Sequence, residues 1–269
     1  MIARVLAAVV GLLVILPAIL WGGEIAVEVI VLLAMWVGFD EWSRMAFPED
    51  QPAAFGWLVL TGTALYATPL YLAPLFPGSE VVGLSVAVVA LATFGFAVAR
   101  PGPSLKRGLE RLGLYFVGLL WIAGLLVFLP LLRRLDQGLV WVFLVLVIPW
   151  AGDTGAYFAG RALGRHKLAP RISPKKTWEG FFGGLVAAVA GVFVVRIFAP
   201  SLTVLDCLVL GVGLGSAAVL GDLAESLLKR ALEVKDSGWI LPGHGGILDR
   251  IDSLLFVAPL LYAYAILSA

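Results

Sequence analysis

The chain has 269 residues, 61% of them hydrophobic and 14% charged, with a formal net charge of +1. Its mean hydropathy is +1.01, and a soluble domain carries roughly 25% charged residues. There is too little polar surface here for an ordinary soluble enzyme, a disordered chain or a nucleic-acid-binding domain with a broad basic face. The single cysteine, Cys207, excludes an internal disulfide, and no CxxC or Cys/His spacing points to zinc.

A transmembrane helix needs about 20 apolar residues. Stretches broken by glycine, proline and charge predict nine such helices, at 2–21, 25–39, 54–74, 81–99, 112–132, 138–158, 180–199, 203–221 and 253–268. The runs are continuous and not alternating, so a transmembrane β-barrel is not expected. The first segment carries Arg4 and no small-residue cleavage site before Trp21, and it reads as a retained helix. The expected fold class is all-α, a polytopic integral membrane protein. Residues 1–135 are expected to supply N-terminal accessory, dimer or lipid-facing helices, and 136–269 a transmembrane region that carries the polar motifs and is the expected catalytic part.

Charge orients the spans. Arg4, Arg44, the set from Arg100 to Arg111, the set from Arg161 to Lys176, and Lys229, Arg230, Lys235 and Arg250 hold 16 of the 19 basic residues. All fall at the N-terminus or in even-numbered gaps, with Arg133, Arg134 and Arg196 on the other side. Positive charge marks the cytoplasmic side. The even gaps are therefore expected in the cytoplasm and the C-terminus outside.

Two polar runs interrupt the apolar pattern of the C-terminal half, Gly152 to Gly180 and Gly221 to Ser253. An ionisable group at a helix centre costs about 2.5–3.5 kcal/mol on insertion scales, so such groups default to functional hypotheses. Asp222 and Glu225 are three apart, as are Asp249 and Asp252. At that spacing two carboxylates share a helix face and repel unless a cation lies between them. One such pair alone is accounted for by a solvated face; two pairs together with Asp153 point to a metal. Hard oxygen donors with few protein contacts suit Mg²⁺ arriving with substrate phosphates. Glu225 has an alternative partner in Lys229 at i+4.

The run Ser173-Pro174-Lys175-Lys176-Thr177 predicts a helix start, with serine as cap and proline in the first turn. Lysines in that first turn oppose the helix dipole unless an anion binds there. Arg161, Arg165 and Lys167 add positive charge nearby. Pro242-Gly243-His244-Gly245-Gly246 is a turn whose backbone suits close approach to a phosphate. His244 has no ligand-spaced partner, which leaves it a structural or phosphate-contact role. Phosphate held by metal and cations at a membrane edge is the chemistry these residues suggest.

The run Ser226-Leu227-Leu228-Lys229-Arg230, then Lys235-Asp236, then Pro242 through Asp252 closely resembles the signature of the bacterial phosphatidate cytidylyltransferases (CDP-diacylglycerol synthases). The run Asp153 to Arg161 and the block Ser173 to Gly180 are similar to that family too. The motifs cover about residues 150 to 253. The resemblance implies a multi-span, dimeric inner-membrane enzyme whose site faces the cytoplasm. It implies that CTP and phosphatidic acid give CDP-diacylglycerol and pyrophosphate, with Mg²⁺ and a second metal such as K⁺.

By the same resemblance Asp222 and Asp249 are the first metal ligands, with Asp252 and Glu225 behind them. Lys175 and Lys176 join the two aspartates as catalytic residues. Lys175, Lys176, Arg161 and Lys235 meet the CTP phosphates, and Arg250 the phosphatidate head group. Asp153, Ser173, Thr177, Ser226, Lys229, Arg230, Asp236, His244, Gly245 and Gly246 complete the expected substrate-binding set. A CTP-dependent lipid kinase of the polyprenol or phytol type shares part of this motif language. A transporter with buried acids along an ion path is the rival from another class. No nucleic-acid partner is expected.

Overall fold

The computed structural model describes residues 15–76, 80–238 and 245–268. Among them the chain is all-α but for one hairpin. The main helices are α1 (Gly23–Ala46), α2 (Gln51–Ala67, continued by tighter and wider turns to Leu75), α3 (Glu80–Ala99), α4 (Leu105–Gly118, continued to Arg134), α5 (Gly138–Leu163), α6 (Trp178–Arg196), α7 (Val204–Ala231) and α8 (Leu248–Leu267). The hairpin pairs β1 (Lys167–Ala169) antiparallel with β2 (Ser173–Thr177) between α5 and α6.

Seven helices, α2 to α8, are long and apolar enough to cross a membrane. The protein is therefore an all-α polytopic membrane protein, although nine spans are not reached among the described residues. The first expected span lies mostly on residues 1–14, outside the described ones. The second is α1, whose 24 residues include Glu24, Glu28, Asp40 and Glu41. The eighth expected span ends early: α7 runs through Gly221 to Ala231 and takes the start of the second polar run with it.

The chain divides into two compact units. One comprises residues 1–131 and 237–248, the other 132–236 and 249–269. In the first, Met35, Phe39, Trp42, Leu58, Tyr66 and Ile122 form a buried core. Trp42 Nε1 donates to the Leu114 carbonyl at 3.1 Å, and Phe47 stacks on Tyr115 at 4.2 Å. Asp50 accepts from Arg100 and Arg111 at 3.0 and 2.7 Å. By contrast α3 buries only Val89 and Thr93. Leu84, Val86, Val88, Leu91 and Val98 face outward, which suits a helix whose solvent is lipid.

In the second unit, small residues set the packing. A Cβ on Gly155 would collide with Ala187, and one on Gly183 with Ala159, so α5 and α6 meet almost backbone to backbone. Lipid gives apolar side chains no reason to leave it, so close approach through small residues is what holds such helices together. Likewise a Cβ on Gly211 would strike Val189, and Gly215 lies against Ala188 and Leu185. Gly221 of α7 lies against α8, where a Cβ would lie 2.6 Å from the Asp252 carbonyl and 3.0 Å from the Phe256 ring.

Gly183→Leu should cost about 1–3 kcal/mol by overpacking the α5–α6 contact. Gly213→Leu, on a position with nothing within 4 Å of its Cβ direction, should stay within about 0.5 kcal/mol. Thermal unfolding in detergent, followed by size-exclusion chromatography, measures both.

Candidate functional site

Extended to Ala231, α7 carries Asp222, Glu225, Ser226 and Lys229 at offsets of three, four and seven, which is one helix face. α8 begins at Leu248, so Asp249 and Asp252 stand three apart in its first turns. The contact at Gly221 brings these two faces together. Lys229 then bridges them: its Nζ lies 3.0 Å from Glu225 Oε2 and in contact with Asp249 Oδ1. The side chains of Lys229, Glu225 and Asp249 are 14%, 2% and 10% exposed, so this is a buried bridge. Asp252, three residues beyond Asp249 on the same helix, accepts from the Ser253 N–H at 2.6 Å. Ser226 Oγ donates to Asp222 Oδ1 at 3.3 Å.

The lysine block does not start a helix, contrary to the expectation from Ser173 and Pro174. Residues 173–177 form β2, and the helix begins at Trp178 with Thr177 as its cap. Thr177 Oγ1 accepts from the Gly180 N–H at 3.1 Å, and Glu179 supplies the acid that a first helical turn favours. Helix dipole and lysines are thereby kept apart, because lysines in the first turn would have met the positive end of the helix. The dipole argument for an anion at that terminus lapses, and Thr177, 8% exposed, has a capping role.

On the hairpin, alternate residues face opposite sides. Lys175 is exposed, while Lys176 turns inward and pairs with Asp222 Oδ2 at 2.5 Å. The hairpin is tied at its base. Glu179 accepts from the backbone N–H groups of Arg165 and His166 at 3.1 and 3.3 Å and pairs with His166 Nδ1 at 2.6 Å. On α5, Asp153 feels Asp222, Lys176 and Arg250 electrostatically. Residues from α5, β2, α7 and α8 thus converge in the second unit.

Other expected site residues lie elsewhere. Arg161 donates to the Tyr157 hydroxyl one turn back, at 2.9 Å. Arg230, Lys235 and Asp236 are exposed at and beyond the end of α7, and Ser173 is half-buried at the start of β2. Gly245, with φ of 80°, and Gly246 belong to the segment 237–248 of the first unit. His244 lies outside the described residues. Glu41 of the first unit, which sequence reasoning passed over, receives several hydrogen bonds from that segment.

What could this cluster hold? Asp153, Asp222, Glu225, Asp249 and Asp252 face Lys176, Lys229 and Arg250, so acids outnumber bases. Glu225 Oε1 is buried without a hydrogen-bond partner among the described residues. A buried carboxylate oxygen is costly unless a proton or cation meets it. No three acids converge on one point among the described residues. Pairs of carboxylates, not a closed cage, fit Mg²⁺, which takes one or two protein carboxylates and completes its shell with water and phosphate. The donor set therefore fits the ion, and the lysines fit the phosphates.

The profile of the cytidylyltransferase family matches residues 2–268. A phosphatidate cytidylyltransferase of Brucella suis is 34% identical over 252 residues, 93% of this chain and 87% of that protein. One of Bacillus subtilis is 51% identical over 133 residues, 49% of each chain. One of Haemophilus influenzae is 47% identical over 128 residues, 46% of this chain and 44% of that protein. Against the last two, this chain spans about half the length of the relative.

Replacing Lys229 by methionine strands Glu225 and Asp249 without their shared cation. The variant should lose about 3–5 kcal/mol of stability, the usual cost of removing one partner from a buried bridge. Arg230→Met, exposed, should stay within about 0.5 kcal/mol. Unfolding in detergent compares the two.

Proposed function

The chain belongs to the cytidylyltransferase family, and from that premise we propose that it transfers the cytidylyl group of CTP to phosphatidic acid, giving CDP-diacylglycerol and pyrophosphate. The observation that carries this reading is the joined cluster of acids and lysines at the ends of membrane-length helices, on a chain matched along its whole length. Charged groups serve the nucleotide, and the same helices offer the lipid a face: Leu220, Leu227 and Leu260 are 57%, 52% and 51% exposed.

Two anions must meet in this reaction, so neutralisation and in-line positioning supply most of the catalysis. A phosphatidate oxygen attacks the α-phosphorus of CTP; the new P–O bond forms as the α–β bridging bond breaks, and pyrophosphate departs with its electron pair. The attacking oxygen is already ionised, so no strong general base or covalent intermediate is required. Lys176, paired with Asp222, takes the triphosphate, with Lys175 beside it at the exposed face. Arg250 takes the phosphatidate head group. Asp222 and Asp249 hold Mg²⁺, supported by Asp252 and Glu225; when bound, the ion neutralises charge on the phosphate oxygens. Lys229 keeps Glu225 and Asp249 together against their mutual repulsion.

The proposal includes a bacterial inner-membrane setting with the site facing the cytoplasm, where CTP is found. It also includes a homodimer and a second cation such as K⁺. A lipid kinase would instead move the γ-phosphoryl group and release CDP. A transporter would show flux in liposomes without CTP turnover.

Purified protein incubated with labelled CTP, phosphatidate and Mg²⁺ should yield CDP-lipid and pyrophosphate. Phosphorylated lipid and CDP as products would reject the reading in favour of a kinase. Asp249→Asn should lower turnover by at least about 10²-fold, since a metal ligand loses its charge; because Asp249 also pairs with the buried Lys229, size-exclusion chromatography in detergent separates that loss from unfolding. Lys176→Ala should impair CTP use more than phosphatidate use; a change in lipid dependence alone would move Lys176 to the lipid site. For orientation, single cysteines at Arg165 and Lys235, both exposed, in a Cys207→Ala background should react with an impermeant thiol reagent only from the cytoplasmic side.

A further inference from the structure

Glu41 is a carboxylate 2% exposed near the end of α1. A buried charge survives only where its hydrogen bonds are made. Three of its hydrogen bonds come from one short stretch of chain. Oε1 accepts from the Ile247 N–H at 2.8 Å, and Oε2 accepts from the Leu248 N–H at 3.0 Å and from Ser237 Oγ at 3.1 Å. A Cβ on Gly238 or Gly246 would run into the same carboxylate. The side chain of Leu248 is fully buried, and a Cβ on Gly38, one turn before Glu41, would lie 3.0 Å from it. Both ends of the segment 237–248 and the first residue of α8 are thus held on α1 by one carboxylate and one bare stretch of backbone. All these contacts lie inside the first unit.

The next residue in the chain is Asp249. A helix's first N–H groups have no partner within the helix. Here the Leu248 N–H is satisfied by a side chain 207 positions earlier in the chain. A cap supplied from so far away sets where the helix starts and in which rotational phase. That phase decides which way Asp249 and Asp252 point.

We propose that Glu41 is a positioning residue for the acid pair at the start of α8, acting through the hydrogen bonds it accepts from residues 237, 247 and 248. This rests on the reading above that Asp249 and Asp252 serve the metal.

The test compares Glu41→Gln with Glu28→Gln. Glu28 is also a buried acid of α1, 4% exposed, but it accepts from Tyr71 and makes no bond to the 237–248 segment among those described. An amide at position 41 cannot accept from both backbone N–H groups, since one of its two heads is a donor. Hydrogen exchange of a peptide spanning 245–250, read by mass spectrometry, should speed up in E41Q and not in E28Q. Mn²⁺ binding, read by electron paramagnetic resonance as a probe of the Mg²⁺ site, should weaken on the order of tenfold in E41Q, as loss of an orienting partner does. It should hold in E28Q. Ser237→Ala should weaken Mn²⁺ in the same direction by less, and it carries the test if E41Q does not fold.

Parental Mn²⁺ affinity in E41Q overturns the proposal; so does equal weakening in E28Q, which would mark a general loss of stability. A parent protein that makes no CDP-diacylglycerol would overturn the reading of function instead. An active parent matched by E41Q overturns only the role of Glu41.

Discussion

Lys229 stands between Glu225 on its own helix and Asp249 on the next, and this buried bridge offsets the repulsion of the acids where the two helices meet. Carboxylates drawn together in a poorly solvated place repel one another, and each loses hydration besides. The lysine supplies the counter-charge from within the fold. With that in place, Asp222 is left to pair with Lys176 of the hairpin, and Glu225 keeps one oxygen without a protein partner among the described residues. The cluster is therefore largely paired within the fold and still leaves one buried carboxylate oxygen open to a proton or cation.

Around this core of charge the packing follows from the apolar surround. In lipid, helices gain little from hiding leucines, so the leucines of α3 point outward and the contacts that matter are made by glycine and alanine. The α5–α6 interface is built this way over several turns. The hairpin between those helices is too polar and too short to share the bilayer with them. It is secured by Glu179 on the His166 turn and by Thr177 at the start of α6. A charged strand is thereby presented from a rigid base.

Much of this is legible in the residues. Hydropathy locates the membrane helices, because a run of about twenty apolar residues matches the thickness of a bilayer's hydrocarbon core. The three-residue spacing of Asp222 with Glu225 and of Asp249 with Asp252 places each pair on one helix face. The start of α6 differs from the expected one for a physical reason: Ser173 and Thr177 are both competent caps, and Pro174 favours the earlier one. The lysines argue for the later one, since a first turn disfavours cations, and Glu179 agrees. Glu41 escapes a reading of the end of α1 for topology alone. The cost of an acid beside an apolar run, applied to Asp153, applies equally to Glu41. Its partners, far away in the chain, come only from the fold.

The contact at Gly221 bears on how the site responds to its membrane. Bilayers differ in thickness, and helices accommodate the mismatch chiefly by tilting. Two helices that touch backbone to backbone tilt about the point of touch, and displacement grows with distance from it. Gly221 and the Asp252 carbonyl form that pivot between α7 and α8. Asp222 adjoins it, Glu225 and Asp249 lie about one turn away, and the far ends of both helices lie several turns off. Any tilt about that point displaces the far ends of the two helices more than the carboxylates beside it. The glycine thus sets the acids beside the part of the helix pair that such a tilt displaces least.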